Sequence, residues 1–491
     1  MRFKGKAQLI DGVLLGTETA SSTFPSHNPA TGDLLGHAPD ATKADAEAAI
    51  AAARRAFDTT DWSTDRELRL RCLRRLHTVL DEHREELREL TIAEVGAPRQ
   101  LTHGPQLDEP ITIVRYYADL LETYDFTEDL GEIDSRGRRH HRWVEKEPAG
   151  VVAAILPYNF PNQLALAKLV PALAAGCTVV LKGAPQTPLT TLALGELIAE
   201  HTDIPPGVVN VLSSSRPETG EVLTTHPDVD VVTFTGATTT GRRIMAAAAD
   251  TVKRVFLELG GKSAMILLED ADFAKSAMFA AFTVCSHSGQ GCALTSRLLV
   301  PRDRHDEIVR MVAAGMERVR VGDPTDPRTA MGPLISEQQR DKVDGMVRRA
   351  VEAGATLVRG GKRIDPGHFY EPTLLGHVDP GSEIAQEEVF GPVLAVIPYD
   401  DEDDAIRIAN NSRYGLSGAV HGADEDRAIR VARRIRTGTF SINGGNFFAP
   451  DVPFGGYKQS GVGREHGRSG FEEFLEEKSF ARVVPPKGDA A

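Results

Sequence analysis

The chain has 491 residues, 41% hydrophobic and 26% charged, so it reads as a folded soluble protein too long for one core, with two large domains expected. A net charge of −14 argues against non-specific binding to nucleic acid or an anionic membrane. The four cysteines, Cys72, Cys177, Cys285 and Cys292, are few, scattered and in no metal-ligand spacing, which suits a reducing compartment better than a disulfide framework.

The basic start, Met1 to Lys6, is followed by no cleavage-type apolar region. Runs such as Ala149 to Leu156 fall short of the ~18 residues that span a bilayer. A cytoplasmic protein is expected. Leu9 to Leu15, then Asn28 to Gly32, read as short strands around a turn. Lys43 to Phe57 is helical. Thr64-x-x-Glu67 reads as a capping box, followed by one apolar helix face of Leu73, Leu76, Leu80, Leu87 and Leu90. Gly96-Ala97-Pro98 stops it, and Ile111 to Tyr124 is the next helix. Thr127 to Lys146 is poor in large apolar residues and carries Arg136 to Arg142; it reads as a solvated face or a projecting hairpin.

From residue 151 the pattern becomes regular. Short β-branched runs at 151–155, 178–181, 208–212, 231–234 and 255–259 alternate with helical stretches at 163–175, 189–201, 218–226 and 239–249. Such alternation predicts a doubly wound parallel α/β sheet, which binds ligands at the carboxyl ends of its strands. A second alternating unit follows 260, with strands at 264–268, 298–300, 393–399 and 439–442. Its helices fall at 306–319, 336–353 and 426–435. Glu476 to Val484 reads as a lone strand for the charged hairpin of this chain or of a neighbouring one.

Several stretches carry candidate chemistry. In Ser288-Gly289-Gln290-Gly291-Cys292, a cysteine sits among glycines without apolar periodicity. It is either a reachable nucleophile or a small buried hydrophobe. Pro157-Tyr158-Asn159-Phe160-Pro161 stiffens a turn after a buried-type strand; Asn159 could donate to an oxyanion or cap the next helix. Lys168, and Lys182 at a strand's end, either meet an anion or snorkel to water. Phe234-Thr235-Gly236 to Gly241 is a strand-to-helix turn suited to a phosphate or to ordinary turn chemistry. Leu257-Glu258-Leu259 puts a carboxylate in an apolar run, where burial would raise its pKa toward that of a general base, unless an ion pair holds it. Glu388-Val389-Phe390-Gly391-Pro392 and the phenylalanine-rich loop 443–458 complete the set.

Taken together and in order, these stretches resemble the aldehyde dehydrogenase superfamily over nearly the whole chain. The motifs carrying the resemblance are Pro157 to Pro161, Phe234 to Gly241, Leu257 to Lys262, Gly289-Gln290-x-Cys292, Glu388-x-Phe390-Gly391-Pro392 and Pro453 to Gly461. The resemblance implies two Rossmann-like doubly wound domains with a small β-hairpin oligomerisation arm. Residues 1–126 and 148–259 would bind the cofactor, 260–475 would be catalytic, and 127–147 with 476–491 would form the arm. A homodimer or homotetramer is implied.

By the same resemblance Cys292 is the nucleophile. Asn159 and the Cys292 backbone N–H form the oxyanion hole, Glu258 is the base for deacylation, and Lys168 supports the site. Lys182 would hold the adenine ribose, and Gly236 and Gly241 would flank the pyrophosphate. Glu388 and Phe390 would hold the nicotinamide ribose and ring, with Ile155, Pro157 and Leu259 completing the cofactor contacts. Tyr158, Phe160, Asn162, Gln163, Phe448 and Phe454 would line a substrate tunnel. No metal is implied. The implied reaction is aldehyde oxidation by NAD through a thioester hydrolysed by Glu258-activated water. A coenzyme A-acylating enzyme, or a non-catalytic nucleotide-binding relative, is the alternative; the retained Glu258 and Cys292 favour hydrolysis.

Some positions depart from the family pattern. Tyr158 stands where relatives often have Trp. Pro185 stands where relatives often carry a Glu that accepts from the adenosine ribose and repels a 2′-phosphate. Without it, NADP is expected to be tolerated beside NAD. The mixed aromatic and polar tunnel lacks an arginine cluster, so neutral aliphatic or aromatic aldehydes are expected over semialdehyde acids. Cys285 is expected to be a buried structural thiol.

Overall fold

The computed structural model describes residues 6–485. The basic start before Lys6 and the last six residues of the expected arm lie outside them.

The first large sheet has eight strands. Its middle is five parallel strands in the order Val209–Leu212, Thr178–Lys182, Val151–Ile155, Val231–Thr235, Arg254–Glu258. A hairpin of Gln8–Ile10 and Val13–Leu15 adds to one edge, and Gly461–Val462 pairs antiparallel at the other. The middle strands are buried along nearly their whole length, as expected for a parallel sheet covered on both faces. Helix Pro161–Ala175 is buried at every position but Asn162 because it is packed on all sides. The register aligns the strands' carboxyl ends: Ile155 lies opposite Lys182, Phe234 opposite Ile155, and Thr235 opposite Glu258. Candidate site residues are thus brought to one rim.

The second sheet has seven strands in the order Thr356–Arg359, Thr373–Gly376, Val393–Tyr399, Thr295–Pro301, Ser263–Leu267, Gly418–His421, Ser441–Ile442. All neighbours are parallel except the first pair. Separate apolar clusters cover its two faces. The molecule is therefore α/β, with two Rossmann-like sheets.

A third, antiparallel sheet joins Thr127–Ser135, Arg138–Pro148 and Leu475–Val483. The charged run is a hairpin, and the closing strand pairs with it within the same chain. Trp143 and Phe480, cross-strand partners, stack at 5.1 Å between ring centroids.

The helix expected to open at Thr64 departs from its sequence reading. The cap is Asp65, which accepts from the Leu68 N–H, rather than Thr64. The leucine face is split between two helices, Arg66–Glu82 and Arg84–Val95, that break at His83. All five leucines are nevertheless buried. Gly96 ends the second helix in a left-handed conformation.

Candidate active site

The oxyanion candidate is tied to the backbone two residues before the nucleophile candidate. The turn after Val151–Ile155 carries Asn159, buried, whose Nδ2 donates to the Gln290 carbonyl at 2.8 Å. One amide hydrogen is used there and the second remains for a developing oxyanion. The Asn159 carbonyl accepts from Gln106 Nε2 at 2.8 Å, which fixes the turn. The alternative of a helix cap is excluded, since no side chain caps helix Pro161–Ala175. Asn159→Ala is expected to lower kcat by about a hundred- to a thousandfold while changing nucleotide affinity little, checked by steady-state kinetics and a binding titration.

The loop leading to Cys292 is strained and pinned. His287, Ser288 and Gly289 are three consecutive residues with positive φ. Glycine is required at 289, since a Cβ there would lie 2.0 Å from the Gly391 carbonyl oxygen. Ser288 Oγ donates to the Gly332 carbonyl at 2.6 Å, and Gln290 Oε1 accepts from the Ile335 N–H at 3.0 Å. These ties hold Cys292 at the end of an otherwise unfavourable path. It is half-buried, whereas Cys72, Cys177 and Cys285 are fully buried, so Cys285 is the inert thiol expected of it.

Charge is scarce and tightly placed. Glu258 is buried, and among the described residues neither of its carboxylate oxygens has a hydrogen-bond partner. Burial first, and then the Glu465 carboxylate, hold its pKa well above the ordinary range, with Lys168 and Arg464 opposing. Lys168 is fully buried; its ammonium donates to Glu465 and, at 3.0 Å, to Thr233 Oγ1. The Cys292 thiol is likewise raised, by burial and then by the Glu258 carboxylate. Glu465, which balances Lys168, was not singled out from the sequence. The only sequence signal was its place behind Gly461-x-Gly463-Arg464.

Two clefts open along the sheet's rim. One, of about 190 Å³, is lined by Tyr158, Asn159, Glu258, Cys292, Glu388 and Phe390, with Pro157, Gly236 and Leu259 also at its wall. Glu388 accepts from the Gly261 N–H at 3.1 Å, and Gln339 Nε2 donates to the Phe390 carbonyl at 2.8 Å, which holds both side chains in position. The other, of about 430 Å³, has apolar walls from Ile155, Phe234 and Ile244. Between them the helix Thr238–Ala248 begins with no side-chain cap, so its first N–H groups are free for an anion. Gly241 lets that helix close on Leu259, whose Cδ2 would lie 2.6 Å from an added Cβ. Lys182, buried at its strand's end, donates to the Gly183 and Ser214 carbonyls, and burial pushes its pKa down to about 8. An apolar base pocket, an open helix N-terminus and a buried carboxylate beside the thiol fit a dinucleotide.

The expected tunnel residues divide. Tyr158 faces the smaller cleft, packed edge-on against Phe390. Phe160 packs edge-on against His287, and Gln163, Phe448 and Phe454 gather around His466. Asn162 does not join them: its amide donates to Thr91 Oγ1 and the Gln106 carbonyl, so it is structural.

Fold and site together place a half-buried cysteine at the wall of a cleft on the rim of a doubly wound sheet, an arrangement suited to a dinucleotide-dependent enzyme. The sequence profile of the aldehyde dehydrogenase family matches residues 17–480. A 3-succinoylsemialdehyde-pyridine dehydrogenase from a Pseudomonas species is 42% identical over 462 residues, covering 92% of this chain and 93% of the relative. The structure of a Mycobacterium tuberculosis aldehyde dehydrogenase complexed with NAD+ is 42% identical, covers 100% of both chains and superposes with a TM-score of 0.93. A mutant aldehyde dehydrogenase C from Pseudomonas syringae, complexed with NAD+ and octanal, is 39% identical over 97% of this chain and 96% of that one, with a TM-score of 0.91. The chain belongs to the aldehyde dehydrogenase family, and it is an NAD-dependent oxidoreductase of the aldehyde group.

Proposed function

We propose that the protein oxidises a neutral aldehyde to its carboxylic acid with NAD, and accepts NADP, by covalent catalysis at Cys292. The observation that carries this is the convergence of Cys292, Asn159, Glu258 and Glu388 on one small cleft. Cys292 Sγ attacks the aldehyde carbon, and Asn159 Nδ2 with the Cys292 N–H holds the resulting oxyanion. When bound, the nicotinamide supplies the hydride acceptor and a positive charge that favours the thiolate. Lys182, Gly236, Gly241, Ile155, Pro157, Leu259, Glu388 and Phe390 hold and orient that cofactor. Glu258 takes a proton from the water that releases the acid from sulfur, and Lys168 with Glu465 sets the charge around it. The retained Glu258 supports hydrolysis over transfer to coenzyme A.

The aromatic side chains Tyr158, Phe160, Phe448 and Phe454 suit an apolar or aromatic aldehyde, in keeping with the octanal named for the P. syringae relative. We assign residues 1–126 and 148–259 to a cofactor domain and 260–475 to a catalytic domain. Of the expected arm, residues 127–147 and 476–485 are described, and we assign them to contacts that build a homodimer or homotetramer. Among the described residues no helix is long and apolar enough to cross a membrane, which is compatible with a cytoplasmic site of action. The test is reduced-nicotinamide absorbance with a panel of aldehydes, NAD and NADP in parallel. Pro185 is exposed and brings no carboxylate to the rim that carries Lys182. NADP is expected within about tenfold of NAD in kcat/KM, and Pro185→Glu is expected to cut NADP use by about tenfold or more through like-charge repulsion. NADP turnover absent from the unmodified enzyme would refute the dual specificity.

A further inference from the structure

Asn159 belongs to no regular element. It stands in the turn between strand Val151–Ile155 and helix Pro161–Ala175, so neither the sheet ladder nor the helix orients its peptide. Pro161, which opens the helix, has no N–H, and no side chain caps that end. A donor that must meet a developing oxyanion at about 2.7–3.1 Å therefore depends on contacts from outside the turn. Two such contacts grip Asn159, one through its side chain and one through its backbone. Its Nδ2 is held by the Gln290 carbonyl on the loop leading to Cys292, at 2.8 Å. Its carbonyl is held, also at 2.8 Å, by Nε2 of Gln106, from the connection between helices Arg99–Thr102 and Asp108–Thr123. The connection is itself fixed. The Gln106 N–H donates to the Leu101 carbonyl at 3.0 Å, and the Gln106 carbonyl accepts from Asn162 Nδ2 at 3.0 Å. Gln106 reaches to Asn159 while Asn162 reaches back to Gln106, and these crossed ties clamp residues 159–162 onto the connection. Thr91 Oγ1, on helix Arg84–Val95, anchors Asn162 further at 2.9 Å.

Gln106 is fully buried, and among the described residues its Oε1 has no hydrogen-bond partner. A buried amide acceptor left unpaired costs free energy that a leucine of similar size does not. On stability alone the position suits an apolar side chain, so the amide's contribution lies in the one bond that it makes. Gln106 is absent from the wall of the cleft that holds Asn159 and Cys292, and it meets the chemistry only through Asn159.

We propose that Gln106 is a positioning residue for the oxyanion hole: by fixing the Asn159 backbone carbonyl it fixes the direction of the second Asn159 amide hydrogen. The proposal rests on the oxyanion role of Asn159 and adds the group that acts behind it. It is tested by a double-mutant cycle between Gln106→Leu and Asn159→Ala in the full chain with NAD. The readout is the single-turnover rate of nicotinamide reduction with the fastest of hexanal, octanal and benzaldehyde. Gln106→Leu alone is expected to slow that rate by about ten- to a hundredfold, the cost of misplacing a catalytic group by about 1 Å, with NAD affinity changed less than about twofold. In the Asn159→Ala background the same change is expected to slow it less than about threefold, because the group being aimed is gone. Equal effects in the two backgrounds would overturn the proposal and make Gln106 a structural residue, as would an unaltered rate in Gln106→Leu. Gln106→Glu keeps the shape of the side chain and tests the donor itself, even if the leucine variant does not fold. Its carboxyl donates to the Asn159 carbonyl only when protonated, so its rate relative to the unmodified enzyme is expected to lie near one at low pH and to fall as pH rises. A ratio equally low from about pH 6 to about pH 10 would overturn the donor role. An unaltered rate in Asn159→Ala would instead sink the oxyanion reading on which the proposal rests, and no turnover of any of the three aldehydes would sink aldehyde oxidation.

Discussion

Cys292→Ala is expected to abolish aldehyde oxidation, lowering kcat by about ten-thousandfold or more, while NAD binding stays close to that of the unmodified enzyme. The size follows from covalent catalysis: with no sulfur to attack, the oxyanion between Asn159 and the 292 N–H never forms, so the hole has nothing to stabilise. The retained binding follows from position. The cofactor candidates sit on the strand ends and on the turns around Glu388, and none hangs from the Cys292 side chain. The loop should also survive the change. Its course is set by Gly289 against Gly391, Ser288 against Gly332 and Gln290 against Ile335, not by the thiol. Steady-state kinetics with a nucleotide titration checks both halves. Residual turnover within a hundredfold of the unmodified enzyme would remove Cys292 from the chemistry, and lost NAD binding would mean that the thiol props the cleft.

The sequence disclosed most where physics is local. The 151–259 alternation of β-branched strands and helices predicts the parallel sheet, but not its strand order or register, because strands buried on both faces are continuous apolar runs with no alternation to set one. Asn159, Glu258 and Cys292 were legible because each breaks a local rule: an amide between prolines, a carboxylate between leucines, a thiol among glycines. Helix Phe273–Cys285 was not legible, because it is apolar with little sidedness and follows a buried strand. Glu402–Asn410 was missed although Asp401 caps it. Glu465 was hidden for a different reason. Its burial is set by Lys168, 297 residues away, and no spacing rule reaches that far. The same holds for Gln106 behind Asn159 and for His466 against Gln163. The His83 break was missed because both halves keep one leucine face, and that continuity masks the discontinuity of the backbone.

Glu258→Gln is expected to separate the two halves of the reaction. The amide keeps the volume of the side chain and removes its capacity to take a proton. If the carboxylate serves deacylation, kcat should fall by about a hundred- to a thousandfold, while a stoichiometric burst of reduced nicotinamide persists as the thioester accumulates. The pH profile should change as well. In the unmodified enzyme burial holds both Glu258 and Cys292 above their ordinary pKa values, so their protonated forms persist to higher pH. The reactive forms are the deprotonated ones, so activity rises with pH through a window set by the raised values. Burial contributes most to the cysteine's elevation and Glu258 contributes next. Removing that charge should therefore move the alkylation of Cys292 by iodoacetamide toward lower pH, yet leave it above the profile of an exposed thiol. A burst that disappears together with turnover would reassign Glu258 to activating the thiol. An unmoved alkylation profile would show that the two groups do not feel one another, and the electrostatic account of the cleft would have to be rebuilt around Lys168 and Glu465.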